Sequence, residues 1–183
     1  MEKLNKGEKP LPELEISNLS RDMLADLLRL YAKLYVALDG FWYLTLRDRI
    51  SNEAALACDI QVWEEICRYE MKNITQQLDI HGKDVAALMR AIQLTPWFLH
   101  MQHKIDIKNS NKVTFTITRC PTLEALEREG EGREKEICGI VEPVVLKCYA
   151  SFFSPDIEVK CLKMPPRKSK DEYCCQWEFT CDK

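Results

Sequence analysis

The N-terminal half of the chain has the apolar spacing of a helical protein. Between Leu24 and Leu38, apolar residues recur at intervals of three and four, which places them on one face of a helix. Ser20 precedes this segment and is expected to cap the helix with its side-chain oxygen. The pair Asp39-Gly40 predicts a break or kink, because glycine is a poor helix former.

Three further helices are predicted before the pattern changes. A short one follows the break over 41–48, and a long amphipathic one starts with Asn52 as its cap and runs for about seven turns. The third covers about 83–94. Residues 1–18 are polar and contain two prolines, so they are interpreted as a flexible N-terminal arm.

After residue 96 the apolar period shortens from 3.6 to 2, which is typical of strands. The segments with this alternation are 97–107, 113–118, 157–164 and 172–181. A long helix over about 134–153 separates the two pairs. The pattern therefore predicts an α+β fold, with N-terminal helices packed on a small antiparallel sheet of two hairpins. We expect one domain over 19–183, with a helical part at 19–95 and a cysteine-rich sheet part at 96–183.

Composition and charge narrow the functional classes. The net charge is −3, so no overall basic field draws the chain to nucleic acid. A winged-helix DNA binder, with a hairpin at 97–119, is disfavoured because the helix before it carries only Lys83 and Arg90 as cations. No secretory signal and no membrane-spanning apolar run are found. We expect a cytoplasmic protein without nucleic-acid or membrane partners; its oligomeric state stays open, and a homodimer is compatible with the sequence.

The sequence contains nine cysteines, and seven of them lie in 120–181. An odd number without an export signal argues against a disulfide framework, so reduced thiols are expected. Cys120 ends a strand, and Cys138 lies in the first turns of a helix, where the helix dipole would lower its thiol pKa. A buried cysteine that acts only as a small apolar residue is the simpler alternative.

The last two strands give the cysteines a predicted geometry. If their hairpin is centred on Lys168, Cys161 faces Cys175 across the strand pair. Alternation puts Cys175 and Trp177 on the core-facing side, and Cys174 on the periphery. Zinc or another thiolate-bound metal is one interpretation, although no C-x-x-C pair is present. Its ligands would be Cys120, Cys138, Cys161 and Cys175.

Catalytic chemistry is a second interpretation of the same region. Cys120 or Cys138 could act as a nucleophile, and His103 on a neighbouring predicted strand could act as its base. The alternative is that His103 is a core residue whose ring nitrogens are hydrogen-bonded within the protein and have no catalytic role. No nucleotide-binding, serine-hydrolase or zinc-protease motif is found in the chain.

Several short segments resemble a family of uncharacterised bacterial and archaeal cytosolic proteins. That family is distantly similar to the L-2-amino-thiazoline-4-carboxylic acid hydrolase family and to vinyl-reductase-type small-molecule-binding domains. The resemblance covers most of 11–181, and the Cys-x-Trp-Glu-Phe strand at 175–179 is its most specific part. The other matching segments are Ala37–Trp42, Val62–Glu64, Cys120–Thr122, Ile137-Cys138 and Ser154–Ile157. Where the family usually has C-x-x-C, this chain has Cys161 followed by Met164, a weaker metal ligand.

The resemblance implies helices on a small antiparallel sheet that encloses a ligand cavity. It implies no reaction by itself, because one fold hosts many functions. We expect a small-molecule- or metal-binding domain that uses its C-terminal cysteines. The alternative is a hydrolase of a small sulfur- or nitrogen-containing heterocycle such as an amino-thiazoline carboxylate.

Overall fold

The structure, a computed structural model, describes residues 15–181. The first fourteen residues of the predicted arm lie outside this range. The helices are α1 (Arg21–Arg49), α2 (Asn52–Gln77), α3 (Val85–Ile92), α4 (Pro96–His100), α5 (Pro121–Glu129), α6 (Glu134–Glu136) and α7 (Glu142–Phe153). A 3-10 turn at Ile16–Asn18 precedes α1, and a π-helical turn at Ile137–Val141 joins α6 to α7.

Four strands form one antiparallel sheet with the order β1-β2-β4-β3. The strands are β1 (Gln102–Asn109), β2 (Lys112–Arg119), β3 (Ile157–Lys163) and β4 (Cys175–Cys181). β1 and β2 form a tight hairpin, and β3 pairs with β4 across a longer connection. The predicted α+β fold, with N-terminal helices and a small antiparallel sheet, is confirmed.

The predicted start of α1 is confirmed, but the predicted break within this helix does not occur. Ser20 caps the helix, its Oγ accepting a hydrogen bond from the Met23 amide at 3.2 Å. The helix then continues through Asp39 and Gly40 without interruption. A glycine inside a helix costs only about 1 kcal/mol, which is small beside the packing of α1 against α2 and α4. The separate helix predicted at 41–48 is therefore the last part of α1.

Two other predicted boundaries are wrong. Ser51, not Asn52, caps α2, since its Oγ accepts the Ala54 amide at 3.1 Å. The first part of the strand predicted at 97–107 is the short helix α4, and β1 starts only at Gln102. Trp97 and Phe98 are adjacent and both buried, which a half-buried strand does not allow.

The core lies between one face of the sheet and α7. Phe115, Trp177 and Phe179 are each at most 1% exposed, and the rings of Phe115 and Phe179 stack with their centroids 5.5 Å apart. From the other side α7 contributes buried residues such as Leu146 and Tyr149. Helices α2 and α3 then pack on α7. This arrangement places the start of α7 next to the ends of β2 and β4.

Helix α1 exposes many large apolar side chains. Leu34, Leu38, Phe41 and Trp42 are each more than half exposed. The homodimer considered from the sequence stays a prediction. None of the helices in residues 15–181 combines the length and apolarity needed to cross a membrane.

Candidate functional site

Three of the predicted cysteines lie within electrostatic range of one carboxyl group at the start of α7. Cys120 precedes α5, Cys138 lies in the π turn, and Cys175 begins β4 opposite Ile117. All three are close enough to Glu142 for its charge to raise the pKa of each thiol. We call Cys120, Cys138, Cys175 and Glu142 the thiol–carboxyl cluster.

The local sequence explains why a π turn precedes α7 at this cluster. Proline cannot donate a backbone hydrogen bond, and its ring clashes with the carbonyl four residues earlier in a regular helix. Pro143 would therefore clash with the carbonyl of Gly139. The chain instead forms the π turn, in which the Glu142 amide donates to the Ile137 carbonyl. Single π turns within helices are frequent at functional sites, and this one sets the positions of Cys138 and Glu142.

Cys120 is held by the helix that follows it. Its Sγ accepts a hydrogen bond from the Leu123 amide at 3.4 Å, so the thiol replaces the usual serine or aspartate cap of α5. Pro121 occupies the first turn of α5, where its missing N–H costs nothing. The thiol is thus fixed at the junction of β2 and α5.

Glu142 is the unusual member of the cluster. Its side chain is half-buried, and burial raises its pKa to about 7. Within residues 15–181 it forms no ion pair and accepts no hydrogen bond, although it keeps part of its surface accessible. A carboxyl in such an environment changes its protonation state near neutral pH.

A second unpaired polar group lies beside the cluster. Trp177 is 1% exposed, and its Nε1 has no hydrogen-bond acceptor among the described residues. Trp177 and Cys175 lie on the same face of β4, two positions apart. The indole lies near enough to the Cys175 sulfur to oppose the rise of its pKa, but without the geometry of a hydrogen bond.

The thiols themselves are poor nucleophiles at rest. Burial raises the pKa of Cys120 to about 12, and it raises the pKa of Cys138 and Cys175 further. The expectation that a helix N-terminus lowers the pKa of Cys138 is wrong, because the desolvation of the thiolate and the nearby Glu142 outweigh the helix dipole. The predicted position of Cys138 near the start of a helical segment over 134–153 is confirmed.

The predicted pairing of Cys161 with Cys175 is also wrong. Cys161 lies opposite Trp177, and a bulge between Cys161 and Lys163 shifts the register beyond it. The pKa of Cys161 is raised by burial without a contribution from the cluster. Within residues 15–181 no three His, Cys, Asp or Glu side chains are grouped so that they could hold a metal ion. The predicted zinc or other thiolate-bound metal at the four cysteines gains no support from their arrangement.

Cys174 is not peripheral, contrary to the prediction from strand alternation. It is 1% exposed, and its Sγ lies 3.7 Å from the Thr118 carbonyl oxygen and 3.8 Å from Arg167 Nη1. It precedes β4, so the alternation of the strand does not apply to it. Cys174 also adds to the rise in pKa of Cys120 and Cys138.

His103 does not join the predicted catalytic pair. It is exposed on β1, and its ring packs on Phe98 with the centroids 4.2 Å apart. Partial burial of the ring lowers its pKa. No hydrogen bond joins His103 to Cys120 in the described part of the chain, where Cys120 instead accepts from Leu123.

Sequence reasoning missed Glu142 and the indole nitrogen of Trp177. The signal for Glu142 is present, because it is the only charged residue in the apolar run from Ile137 to Leu146. A single carboxyl in such a run either lies on the exposed face of a helix or is buried, and charged side chains are rarely buried without a partner. Trp177 was predicted to be buried, which is confirmed, but its missing acceptor depends on the tertiary structure.

Comparison with known protein families shows a match over most of the chain. Residues 17–181 match a protein family described as a family of unknown function, DUF6125. Neither the curated proteins nor the solved structures contain a significant match to the chain.

Proposed function

Because the chain belongs to the DUF6125 family, whose description names no activity, we propose from the site itself that the protein binds a small polar molecule at the thiol–carboxyl cluster. The ligand would contact Glu142 and the indole N–H of Trp177, with the three thiols around it. This proposal keeps the cysteines of the C-terminal half as part of the site and adds Glu142 and the indole nitrogen of Trp177, which the sequence analysis did not assign to it.

One observation carries the proposal. Trp177 Nε1 is a buried polar atom without a hydrogen-bond partner in residues 15–181, and the half-buried carboxyl of Glu142 has no hydrogen-bond or ion-pair partner there either. A buried polar group left unpaired costs about 1–3 kcal/mol, and more if it is charged. Native proteins retain few such groups, and those that remain usually have a functional or solvent partner. A ligand that satisfies both groups would recover this free energy on binding.

The two groups define the chemistry of the ligand. The indole N–H donates, so the ligand needs an acceptor near Trp177. The carboxyl of Glu142, when ionised, accepts, so the ligand needs an N–H or O–H donor near it, and a cationic donor would bind most strongly. Small heterocycles with an amidine-like nitrogen and a carboxylate or carbonyl group meet both requirements. The resemblance to small-molecule-binding domains is compatible with such a ligand.

A hydrolase acting on a small sulfur- or nitrogen-containing heterocycle is the second candidate. The observation that favours it is the pKa of Glu142, which burial raises to about 7. A general base is most effective when its pKa lies near the working pH. Glu142 could take the proton of Cys138, whose own pKa is too high for a resting thiolate, while Cys138 attacks the ring carbon. The ring carbon–sulfur bond would then break, and Glu142 would return the proton to the ring sulfur, which leaves as a thiol. Water would next add to the same carbon, and the bond between this carbon and the Cys138 sulfur would break, which releases the product and restores the thiol.

Thermal-shift and calorimetric titration with 2-amino-thiazoline-4-carboxylate tests the binding proposal. This probe carries both a cationic donor and an anionic acceptor. We expect it to stabilise the wild-type protein and Glu158→Gln, a control at an exposed position of β3. The stabilisation should be lost in Glu142→Gln. Equal stabilisation of Glu142→Gln, or none of the wild type by this and related donor–acceptor heterocycles, would contradict the proposal.

The hydrolase candidate is tested in the same samples by measuring free thiol released from the probe. Release should disappear in Cys138→Ser and in Glu142→Gln. It should persist in Cys58→Ser, since Cys58 is exposed on α2 and away from the cluster. Binding without thiol release would leave the binding function standing and exclude hydrolysis of this probe.

A further inference from the structure

A cavity lies between α1 and α2, formed by residues outside the thiol–carboxyl cluster. Its volume is about 190 Å³. Four aromatic side chains and two carboxyl groups contribute to its lining: Tyr35, Trp42, Tyr43, Trp63, Asp39 and Asp59. A cavity of about 150 Å³ in another protein holds a benzene ring, so this one has room for a slightly larger molecule.

The two carboxyl groups come from opposite helices and face the same space. Asp39 belongs to α1 and Asp59 to α2, and both are partly buried. The indole of Trp63 lies close enough to both carboxyl groups to lower the pKa of each. Burial opposes this, and it raises the pKa of Asp39 to about 6 and, together with the charge of Asp39, that of Asp59 to about 7.

The carboxyl pair has no cationic partner in residues 15–181, because the nearby arginines are engaged elsewhere. Arg133 pairs with Glu129 at 2.7 Å, and its guanidinium lies over the Tyr43 ring at 5.1 Å from the centroid. Arg47 pairs with the same Glu129 at 2.8 Å. A second cavity of about 200 Å³ lies on that side and shares Asp39, Tyr43 and Asp59 with the first. The acid pair therefore lies between two cavities without a counter-ion.

The aromatic lining favours the same kind of ligand as the carboxyl groups. Cations are attracted to the faces of Trp and Tyr rings, and enclosed aromatic sites with nearby acids are used to recognise organic ammonium groups. Tyr35 and Trp63 meet edge to face with their centroids 6.3 Å apart, which fixes one wall of the cavity. Trp42, at 57% exposed, stands at the opening.

We infer that the α1–α2 cavity binds a small organic ammonium cation, whose charged group lies between Asp39 and Asp59 and whose apolar part lies against the aromatic rings. The cation supplies the missing counter-ion, and the apolar walls favour a hydrocarbon substituent over a hydrated metal ion. This inference uses none of the residues of the thiol–carboxyl cluster and does not depend on the function proposed for it.

Binding should depend on pH in a defined direction. The ligand stabilises the ionised carboxylates, so its affinity should rise as the pH increases from about 5 to about 8, and protons should be released on binding near neutral pH. The other groups that face the pair are Tyr35 and Tyr43 from α1, Cys58 from α2, Glu129 from α5, and Arg133 just before α6. Burial raises the pKa of both tyrosines, which stay neutral in this range.

Benzylammonium is the probe, and benzyl alcohol is the neutral analogue of nearly the same shape. Titration calorimetry and the tryptophan fluorescence of the site report binding. We expect benzylammonium to bind the wild-type protein at least about tenfold more tightly than benzyl alcohol, a difference of about 1.4 kcal/mol. Asp39→Asn and Asp59→Asn should each weaken benzylammonium by about tenfold or more without changing the affinity of benzyl alcohol.

The matched control is Asp26→Asn, an exposed position of α1 that pairs with Arg29. It should bind benzylammonium as the wild type does. Asparagine keeps the shape of aspartate and removes a charge that burial disfavours, so the variants should fold, which circular dichroism checks. Equal affinity for the alcohol and the cation, undiminished binding in both Asn variants, or no binding of benzylammonium at millimolar concentration would each overturn the inference.

Discussion

The hydroxyl of Tyr149 donates a hydrogen bond to the buried carboxyl of Glu70, and this contact ties α7 to α2. The same hydroxyl accepts a hydrogen bond from Trp97 Nε1 at 2.8 Å, and Tyr35 donates to the other Glu70 oxygen at 3.0 Å. One polar chain thus connects the four helices α1, α2, α4 and α7 through the core. Because every member has a partner, this network differs from the unpaired groups of the thiol–carboxyl cluster.

Removing the Tyr149 hydroxyl should be costly. Tyr149→Phe leaves Trp97 Nε1 without its acceptor and removes a donor from Glu70, in surroundings that water does not reach. We expect a loss of about 1–3 kcal/mol in the free energy of unfolding, measured by urea denaturation. Tyr69→Phe is the control, since Tyr69 is 66% exposed on α2 and should change stability by less than about 0.5 kcal/mol. Equal effects of the two variants would show that the network contributes little.

The two faces of β4 should differ strongly in their tolerance of substitution. Trp177 is buried against the core, and Trp177→Ala should cost about 3–5 kcal/mol in the free energy of unfolding. Glu178, on the other face, forms an ion pair with Lys112 at 2.9 Å, and Glu178→Ala should cost about 1 kcal/mol or less. Chemical denaturation measures both. Comparable losses of unfolding free energy in the two variants would contradict the assignment of Trp177 to the buried face of β4 and Glu178 to the other face.

The pKa of Glu142 makes a prediction about pH and stability. The folded state raises this pKa from the usual 4.5 to about 7, so between these values the folded protein holds a proton that the unfolded chain has released. Stability should therefore fall as the pH rises through this window, with a contribution from Glu142 of at most about 3 kcal/mol. Thermal unfolding at about pH 5 and about pH 8 should show Glu142→Gln gaining stability over the wild type at the higher pH only.

The control for this comparison is Glu158→Gln, because Glu158 is exposed on β3. Its difference from the wild type should be the same at both pH values. If the stability difference between Glu142→Gln and the wild type were also the same at both pH values, the Glu142 carboxyl would be ionised in the folded protein from about pH 5 to about pH 8. The argument that burial raises its pKa would then be wrong.

The nine thiols should react with alkylating reagents in an order set by exposure and pKa. Cys58 is exposed and should be modified first by iodoacetamide near neutral pH. Cys120, Cys138 and Cys175 should react slowly, because burial raises their pKa. Mass spectrometry of proteolytic peptides over time measures each rate. Modification of Cys138 faster than Cys58 would indicate an activated nucleophile and favour the hydrolase candidate.

Much of the secondary structure could be predicted from the chain, since it depends on local spacing and on capping side chains. The alternation of Val113, Phe115 and Ile117 predicts β2, and all three are buried in the structure. Ser20 stands before the first helical repeat and caps it. These features involve neighbours within a few residues, so the sequence carries them directly.

The site required the tertiary structure, because its members meet only through packing. The register of β3 and β4 is centred on Ser169, one residue beyond Lys168, and this shift places Cys161 opposite Trp177 instead of Cys175. Gly40 stays within α1 because contacts with α2 and α4 exceed its local cost. Asp39 and Asp59, twenty positions apart, face one cavity only because α1 and α2 pack side by side. Spacing along the chain determined the helices and strands, whereas burial, which depends on distant residues, decided which polar groups lack partners.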